Sequence, residues 1–120
     1  MQKRILIIED EPDIATIVTY RLEATGYQSD TASNGKIALD FIQAQKYNLV
    51  FLDYQLPDMR AQDIALKIRA SEMNHNIPII LATASIDDIA IKAKECLCVD
   101  FLTKPFEPET LLEMALKHSR

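Results

Sequence analysis

The sequence predicts an α/β protein: a doubly wound sheet of five parallel strands with five helices. Two observations carry that expectation. Short β-branched runs alternate along the chain with segments of helical period, which is the pattern of βα units around a parallel sheet. The 120 residues, 48% of them hydrophobic, supply enough apolar surface for one core and too little for two, so residues 1–120 are expected to form one domain.

Residues 4–9 (RILIIE) form an apolar run ended by acids, the signature of a central strand buried on both faces. Asp10-Glu11-Pro12 then reads as a helix start, with an acidic cap and proline in the first turn. Ile14, Val18 and Leu22 repeat at helical spacing, and Gly26 supplies the stop. Residues 27–32 are more polar and predict an edge strand. Ser33-Asn34-Gly35 turns the chain into a second helix, with Ile37, Ala38, Phe41 and Ile42 facing inward.

Residues 48–53 (NLVFLD) predict the second central strand, and Leu56-Pro57-Asp58 a loop after it. Ile64, Ala65 and Ile68 mark a third helix. Residues 78–83 (PIILAT) give another buried strand, followed by a fourth helix over 85–96 with Ile86, Ile89, Ala90 and Ala93 inward and Ile91 outward. Residues 98–102 read as the fifth strand and Thr103-Lys104-Pro105-Phe106 as its exit loop. A last helix begins near Pro108-Glu109, with Leu111, Leu112 and Ala115 inward.

Eighteen acidic residues against thirteen basic ones give a formal charge of -5, which disfavours direct binding to a nucleic-acid phosphate backbone. The apolar run after the basic start Met1-Gln2-Lys3-Arg4 is too short for a signal-peptide core or a membrane span, and no later stretch is long enough to cross a bilayer, so no membrane contact and a cytoplasmic location are expected. Cys96 and Cys98 have no partner ligands at zinc-site spacing and read as apolar residues in a reducing compartment. His75 and His118 likewise lack metal-site spacing and are expected at the surface.

In an open α/β sheet, ligands bind beyond the carboxyl ends of the strands. Here the first strand ends in Glu9-Asp10, the third in Asp53 and the fourth in Thr83, while the fifth runs into Lys104. Two carboxylates about 4 Å apart repel by roughly 4 kcal/mol at an effective dielectric of 20, so three clustered acids call for protons or a cation. Oxygen-only ligands with room for water suit Mg2+, and Asp53 then keeps an oxygen free to act as a nucleophile toward phosphorus. Phosphoryl transfer asks mainly for positioning and positive charge, which Lys104 and the Thr83 hydroxyl are placed to supply.

The chain resembles the receiver domain of two-component response regulators over essentially its whole length. The matching segments are IIEDEP at 7–12, LDYQLPDM at 52–59, LATAS at 81–85 and FLTKPF at 101–106, in the family's order and spacing. The resemblance implies a flavodoxin-like, CheY-like strand order of 2-1-3-4-5. It implies Asp53 as the phosphorylated residue and Mg2+ held by Asp10 and Asp53, by Glu9 through metal-bound water, and by the Gln55 backbone carbonyl.

By the same resemblance Thr83 is the switch hydroxyl, Phe101 the aromatic whose rotamer follows it, and Lys104 the phosphoryl-binding cation, with a cis Lys104-Pro105 bond. Gln55 and Ser85 hold the positions that tune phosphoryl lifetime. The implied function is a phosphorylation-switched signalling domain that takes phosphate from a phosphohistidine on a sensor histidine kinase or a histidine phosphotransfer protein. Its only enzymatic steps are transfer onto Asp53 and autodephosphorylation. An output domain or downstream protein would read the phosphorylated state, and family members dimerise through the face from the fourth helix to the last.

Two departures stand out: Ala61 and Leu97 occupy places where the family usually has glycine. They leave room for a constitutive interaction module that has kept the fold and lost phosphorylation. A magnesium phosphohydrolase is the remaining alternative, disfavoured by Gln55 where such enzymes commonly carry a second Asp. Ile14 and Ile17, on the helix that starts beside the site, are expected to help dock a phosphodonor, and Ile91 with Leu97 to form an output patch.

Overall fold

The computed structural model describes residues 2–119, so the end residues of the expected 1–120 domain lie outside the described residues. Five strands, β1 (Arg4–Ile8), β2 (Gln28–Ala32), β3 (Leu49–Asp53), β4 (Ile79–Thr83) and β5 (Asp100–Thr103), alternate with five helices. These are α1 (Pro12–Ala24), α2 (Gly35–Ala44), α3 (Ala61–Arg69), α4 (Ile89–Glu95) and α5 (Pro108–His118). All strand pairs are parallel, in the order β2-β1-β3-β4-β5.

Period-two alternation divides the core between the two faces of the sheet. Ile5, Ile7, Leu49, Phe51 and Ile80 pack with Val18 and Leu22 of α1 and Leu111 and Ala115 of α5. Leu6, Ile8, Val50, Leu52, Ile79 and Leu81 point the other way, against residues of α2, α3 and α4. Covering both faces is what makes β1, β3 and β4 nearly continuous apolar runs. The more polar β2 lies at an edge of the sheet, as its composition predicts.

Several local expectations need correction. The acidic N-cap of α1 is Glu11, but its side chain makes no capping bond. Ile37 is exposed, because the inward face of α2 is carried by Gly35, Ala38 and Ile42. The fourth helix spans Ile89–Glu95 instead of 85–96, since Asp88 takes a left-handed backbone with φ 55. Ile86, left on the loop before it, is 69% exposed, and Ala90 is exposed as well. His118 is half-buried, its Nε2 lying 3.0 Å from Asp100 Oδ2.

The two glycine departures resolve differently. Ala61 opens α3 in helical backbone, fully buried, so its methyl needs no unusual angle. Leu97 has φ 56, the left-handed region that glycine occupies without steric cost. Gly35 is required for space: a Cβ there would meet Met59 Sδ at 2.7 Å and Met59 Cβ at 3.0 Å. Met59 belongs to the same loop as Asp58, whose carboxylate accepts from the Gly35 and Lys36 amides at 2.8 and 3.0 Å and so caps α2. Those contacts hold the Asp58 carboxyl below the usual range, the Gly35 amide first among them. The loop leading away from β3 is therefore tied to the start of α2.

Among the described residues, no helix is long and apolar enough to cross a membrane.

Candidate functional site

Parallel register brings the ends of β1, β3, β4 and β5 to one edge: Ile8 pairs with Leu52, Asp53 with Ala82, and Thr83 with Thr103. The chain leaves β1 through Glu9 and Asp10, β4 through Ala84 and Ser85, and β5 through Lys104. Asp53, the last residue of β3, is 5% exposed and Glu9 equally so, whereas Asp10 faces solvent.

Lys104 joins the two buried acids. Its Nζ lies 2.6 Å from Glu9 Oε1 and 3.2 Å from Asp53 Oδ2. The other Asp53 oxygen, Oδ1, accepts from the Gln55 amide at 3.1 Å, and Glu9 Oε2 accepts from the Glu11 amide at 3.2 Å. Both carboxylates are thereby fixed in orientation by backbone N–H groups of the loops that follow them. Lys104-Pro105 is a cis peptide bond.

Burial pushes the Asp53 carboxyl up to about 7, and the neighbouring Glu9 carboxyl adds to the rise. The Gln55 amide and the Lys104 ammonium oppose it without cancelling it. For Lys104, burial works downward, but contact with Glu9 and Asp53 outweighs it and holds the ammonium above its usual range. Lys104 thus stays charged, and the cleft carries more negative charge than its one ammonium neutralises.

Glu9, Asp10 and Asp53 each offer a carboxylate oxygen, and these oxygens lie within 4.8 Å of one another. Two ligands on opposite sides of one Mg2+ are about 4 Å apart, so the set is close to what one hard ion spans, and its oxygen-only chemistry fits Mg2+. A small cleft of about 120 Å³ opens here, lined by Asp10, Glu11, Asp53, Gln55, Ala84 and Lys104.

Thr83 is 1% exposed, and its Oγ1 accepts from the Ser85 amide at 3.2 Å, which leaves the hydroxyl proton free to donate elsewhere. Phe101, opposite Leu81 in the register, is half-buried against the face of the core that includes Ala93 and Cys96. Gln55 also forms an isolated bridge with Arg60, which shapes the loop between β3 and α3.

The structure therefore gathers Glu9, Asp10, Asp53, Gln55 and Lys104 around one cleft, with Thr83 and Phe101 on the strands beside it. Sequence reasoning missed Ala84 as part of the cleft wall and the Glu11 amide as the anchor of Glu9. The signal for Ala84 was a minimal side chain directly after the last residue of a strand. A backbone donor such as that of Glu11 leaves no mark in residue type.

Residues 5–116 match the family described as the response regulator receiver domain. The chain is 34% identical over 109 residues to the alkaline phosphatase synthesis transcriptional regulatory protein PhoP of Bacillus subtilis, covering 90% of this chain and 45% of that protein. It spans about half the length of the curated relatives it matches. Its fold is similar to that of the chemotaxis protein CheY4 of Vibrio cholerae, with TM-score 0.91 and 25% identity over 98% of this chain and 99% of the other. It is also similar to the response regulator TrrA of Thermotoga maritima, solved in complex with Mg2+-BeF, with TM-score 0.84 and 32% identity over 97% and 98% of the two chains.

Proposed function

The chain belongs to the response regulator receiver domain family of signalling switches, and from that premise we propose that Asp53 accepts a phosphoryl group from a phosphohistidine donor. The observation that carries the proposal is the seating of Asp53 at the end of β3, with one oxygen held by the Gln55 amide and the other by Lys104.

An Asp53 oxygen attacks phosphorus while the P–N bond to the donor imidazole breaks. The imidazole leaves with the electron pair and takes up a proton, and Asp53 becomes an acyl phosphate. Lys104 follows the transferred group as its cation, and the Thr83 hydroxyl donates to a phosphoryl oxygen. Glu9, Asp10, Asp53 and the Gln55 carbonyl would hold Mg2+, which when bound offsets the charge of the carboxylates and of the phosphoryl oxygens. Later hydrolysis of the acyl phosphate resets the switch.

Switching a population from 1:99 to 99:1 takes about 5.5 kcal/mol, whereas a hydrogen bond to a charged group contributes roughly 1.5–3 kcal/mol. Thr83 alone does not suffice, so full activation combines the Lys104 contact, the Thr83 bond and a partner that binds the switched state, with Phe101 following Thr83.

The donor is proposed to be a sensor histidine kinase or a histidine phosphotransfer protein. An apolar pocket of about 220 Å³ beside Lys104, lined by Ile14, Ile17, Arg21, Pro105 and Phe106 among others, supports a docking place for it. Exposed Ile91, Leu97 and Val99 support an output surface at α4 and the approach to β5, open to a downstream protein, an output domain or a second copy.

The test is incubation with Mg2+ and a small phosphodonor, followed by mass measurement of wild type and Asp53→Ala. A gain that depends on Asp53 and decays slowly is expected. No gain would instead favour a constitutive interaction module, and rapid multiple turnover of the donor a hydrolase.

A further inference from the structure

Lys92 of α4 takes no part in the phosphotransfer chemistry, yet it is turned toward the site. Its Nζ lies 3.2 Å from Ser85 Oγ and 4.9 Å from the centre of the Tyr54 ring. Tyr54 directly follows Asp53, and the amide of Ser85 donates to Thr83 Oγ1 at 3.2 Å. Contacts therefore run without a gap from the Thr83 hydroxyl through Ser85 and Lys92 to the ring beside Asp53. A second polar tie runs alongside: the Tyr54 hydroxyl accepts from Gln62 Nε2 of α3 at 3.2 Å, and Gln62 Nε2 lies 3.5 Å from Glu95 Oε2 of α4.

These ties matter because α4 buries little of itself: its anchors in the core are Ala93 and, at its C-cap, Cys96. The helix spans Ile89–Glu95, buries Ala93, half-buries Ile89, and starts from the left-handed Asp88 without a side-chain cap. An ammonium held between a hydroxyl and an aromatic face contributes through both a charge-assisted hydrogen bond and a cation–π contact. On the receiver reading Thr83 turns toward a phosphoryl group on Asp53; where that turn carries Oγ1 off the Ser85 amide, whatever holds Ser85 opposes it.

We propose that Lys92 is a latch: by holding Ser85 it keeps the Thr83 hydroxyl in its resting position, and the switch moves only when Lys92 lets go. Lys92 is a positioning residue, acting through Ser85. The proposal rests on the receiver reading for what Thr83 does, and on the contacts alone for where Thr83 is held.

The test compares wild type, Lys92→Met and Lys92→Arg in two measurements. The first, on unphosphorylated protein, is the Thr83 rotamer population from three-bond couplings between its methyl carbon and the backbone nitrogen and carbonyl carbon. The second is the initial rate of mass gain at Asp53 with Mg2+ and a small phosphodonor. Lys92→Met, which keeps the stem and removes the ammonium, is expected to raise both the minor rotamer and the rate about fivefold, the effect of losing one such contact. Lys92→Arg, which keeps a cation over the ring and a donor toward Ser85, is expected to stay within about twofold of wild type.

Unchanged rotamers and rates in Lys92→Met, even with a lower melting temperature, would overturn the latch, as would Lys92→Arg behaving like Lys92→Met. If wild type gains no mass at Asp53, the receiver reading fails, while the Thr83 couplings still decide whether the latch exists.

Discussion

α3 and α4 follow adjacent strands and cover the same face of the sheet, but they are held by different means. α3 buries Ala61, Ile64, Ala65 and Ile68, whereas α4 buries Ala93 and leaves Ile91 57% exposed. Left-handed residues bracket α4, Asp88 at its start and Leu97 just past its end. The acids and their anchors sit on the well-packed side, with Asp53 on β3 and the Asp58 cap on α2. Thr83 and Ser85 lead into the loosely packed side. Rigid packing favours a preorganised site, and sparse packing lowers the cost of rearranging the element that must move.

The strongest test of this contrast is a pair of truncations followed by urea unfolding. Ile64→Ala is expected to cost about 2–5 kcal/mol, through lost burial and a cavity, and Ile91→Ala to stay within about 0.5 kcal/mol. Similar costs at the two positions would break the comparison. Gly35→Ala comes next, at about 1–3 kcal/mol from overpacking against Met59. Met59→Ala in the same chain should restore part of that loss, which a double-mutant cycle reads directly.

Asp53 links the rigid side to pH. Its carboxyl is raised on folding to about 7 from an ordinary value near 4, so the metal-free folded state binds more protons than the unfolded state between those values. Stability from this group is therefore present at low pH and falls as pH climbs from about 4 to about 7. Mg2+ must displace that proton, so its affinity should weaken by close to tenfold, about 1.4 kcal/mol, for each pH unit below about 7. Thermal shifts with and without Mg2+ at pH 5.5 and pH 8 measure this, and an equal shift at both pH values would contradict it. The smallest effect is on the loose side. Leu97→Gly should stabilise the fold by about 0.5–1 kcal/mol, the left-handed strain relieved less the added chain entropy of glycine. A loss of stability instead would mean that the Leu97 side chain packs more than its exposure suggests.

Much of this architecture was legible from pattern alone. The buried strands declared themselves because both faces of the sheet are covered, and α3 because Ile64, Ala65 and Ile68 fall on one stripe. The poorly read element was α4, where Ile86 and Ala90 suggested an inward face that the structure leaves in solvent. Periodicity identifies a helical stripe only when the core claims it, and a short helix with one buried residue offers too little burial to be read. His118 was misplaced for a related reason: its partner Asp100 is eighteen residues away and carries no local sign of the pairing.

By itself the sequence determined the strands, the parallel sheet they imply, and the residue types at each strand end: two acids after β1, an acid closing β3, a hydroxyl closing β4 and a lysine after β5. Residue chemistry and burial period are local properties, and they can be read one segment at a time. Tertiary structure alone decided which groups meet. Parallel register carried Lys104 onto both Glu9 and Asp53, burial raised the Asp53 carboxyl, and the turn of the chain after β4 placed Ser85 between Thr83 and Lys92. The Lys104 contacts join residues far apart in the chain, and those around Ser85 depend on how the loop after β4 turns; distance in space is the one quantity that a linear pattern does not encode.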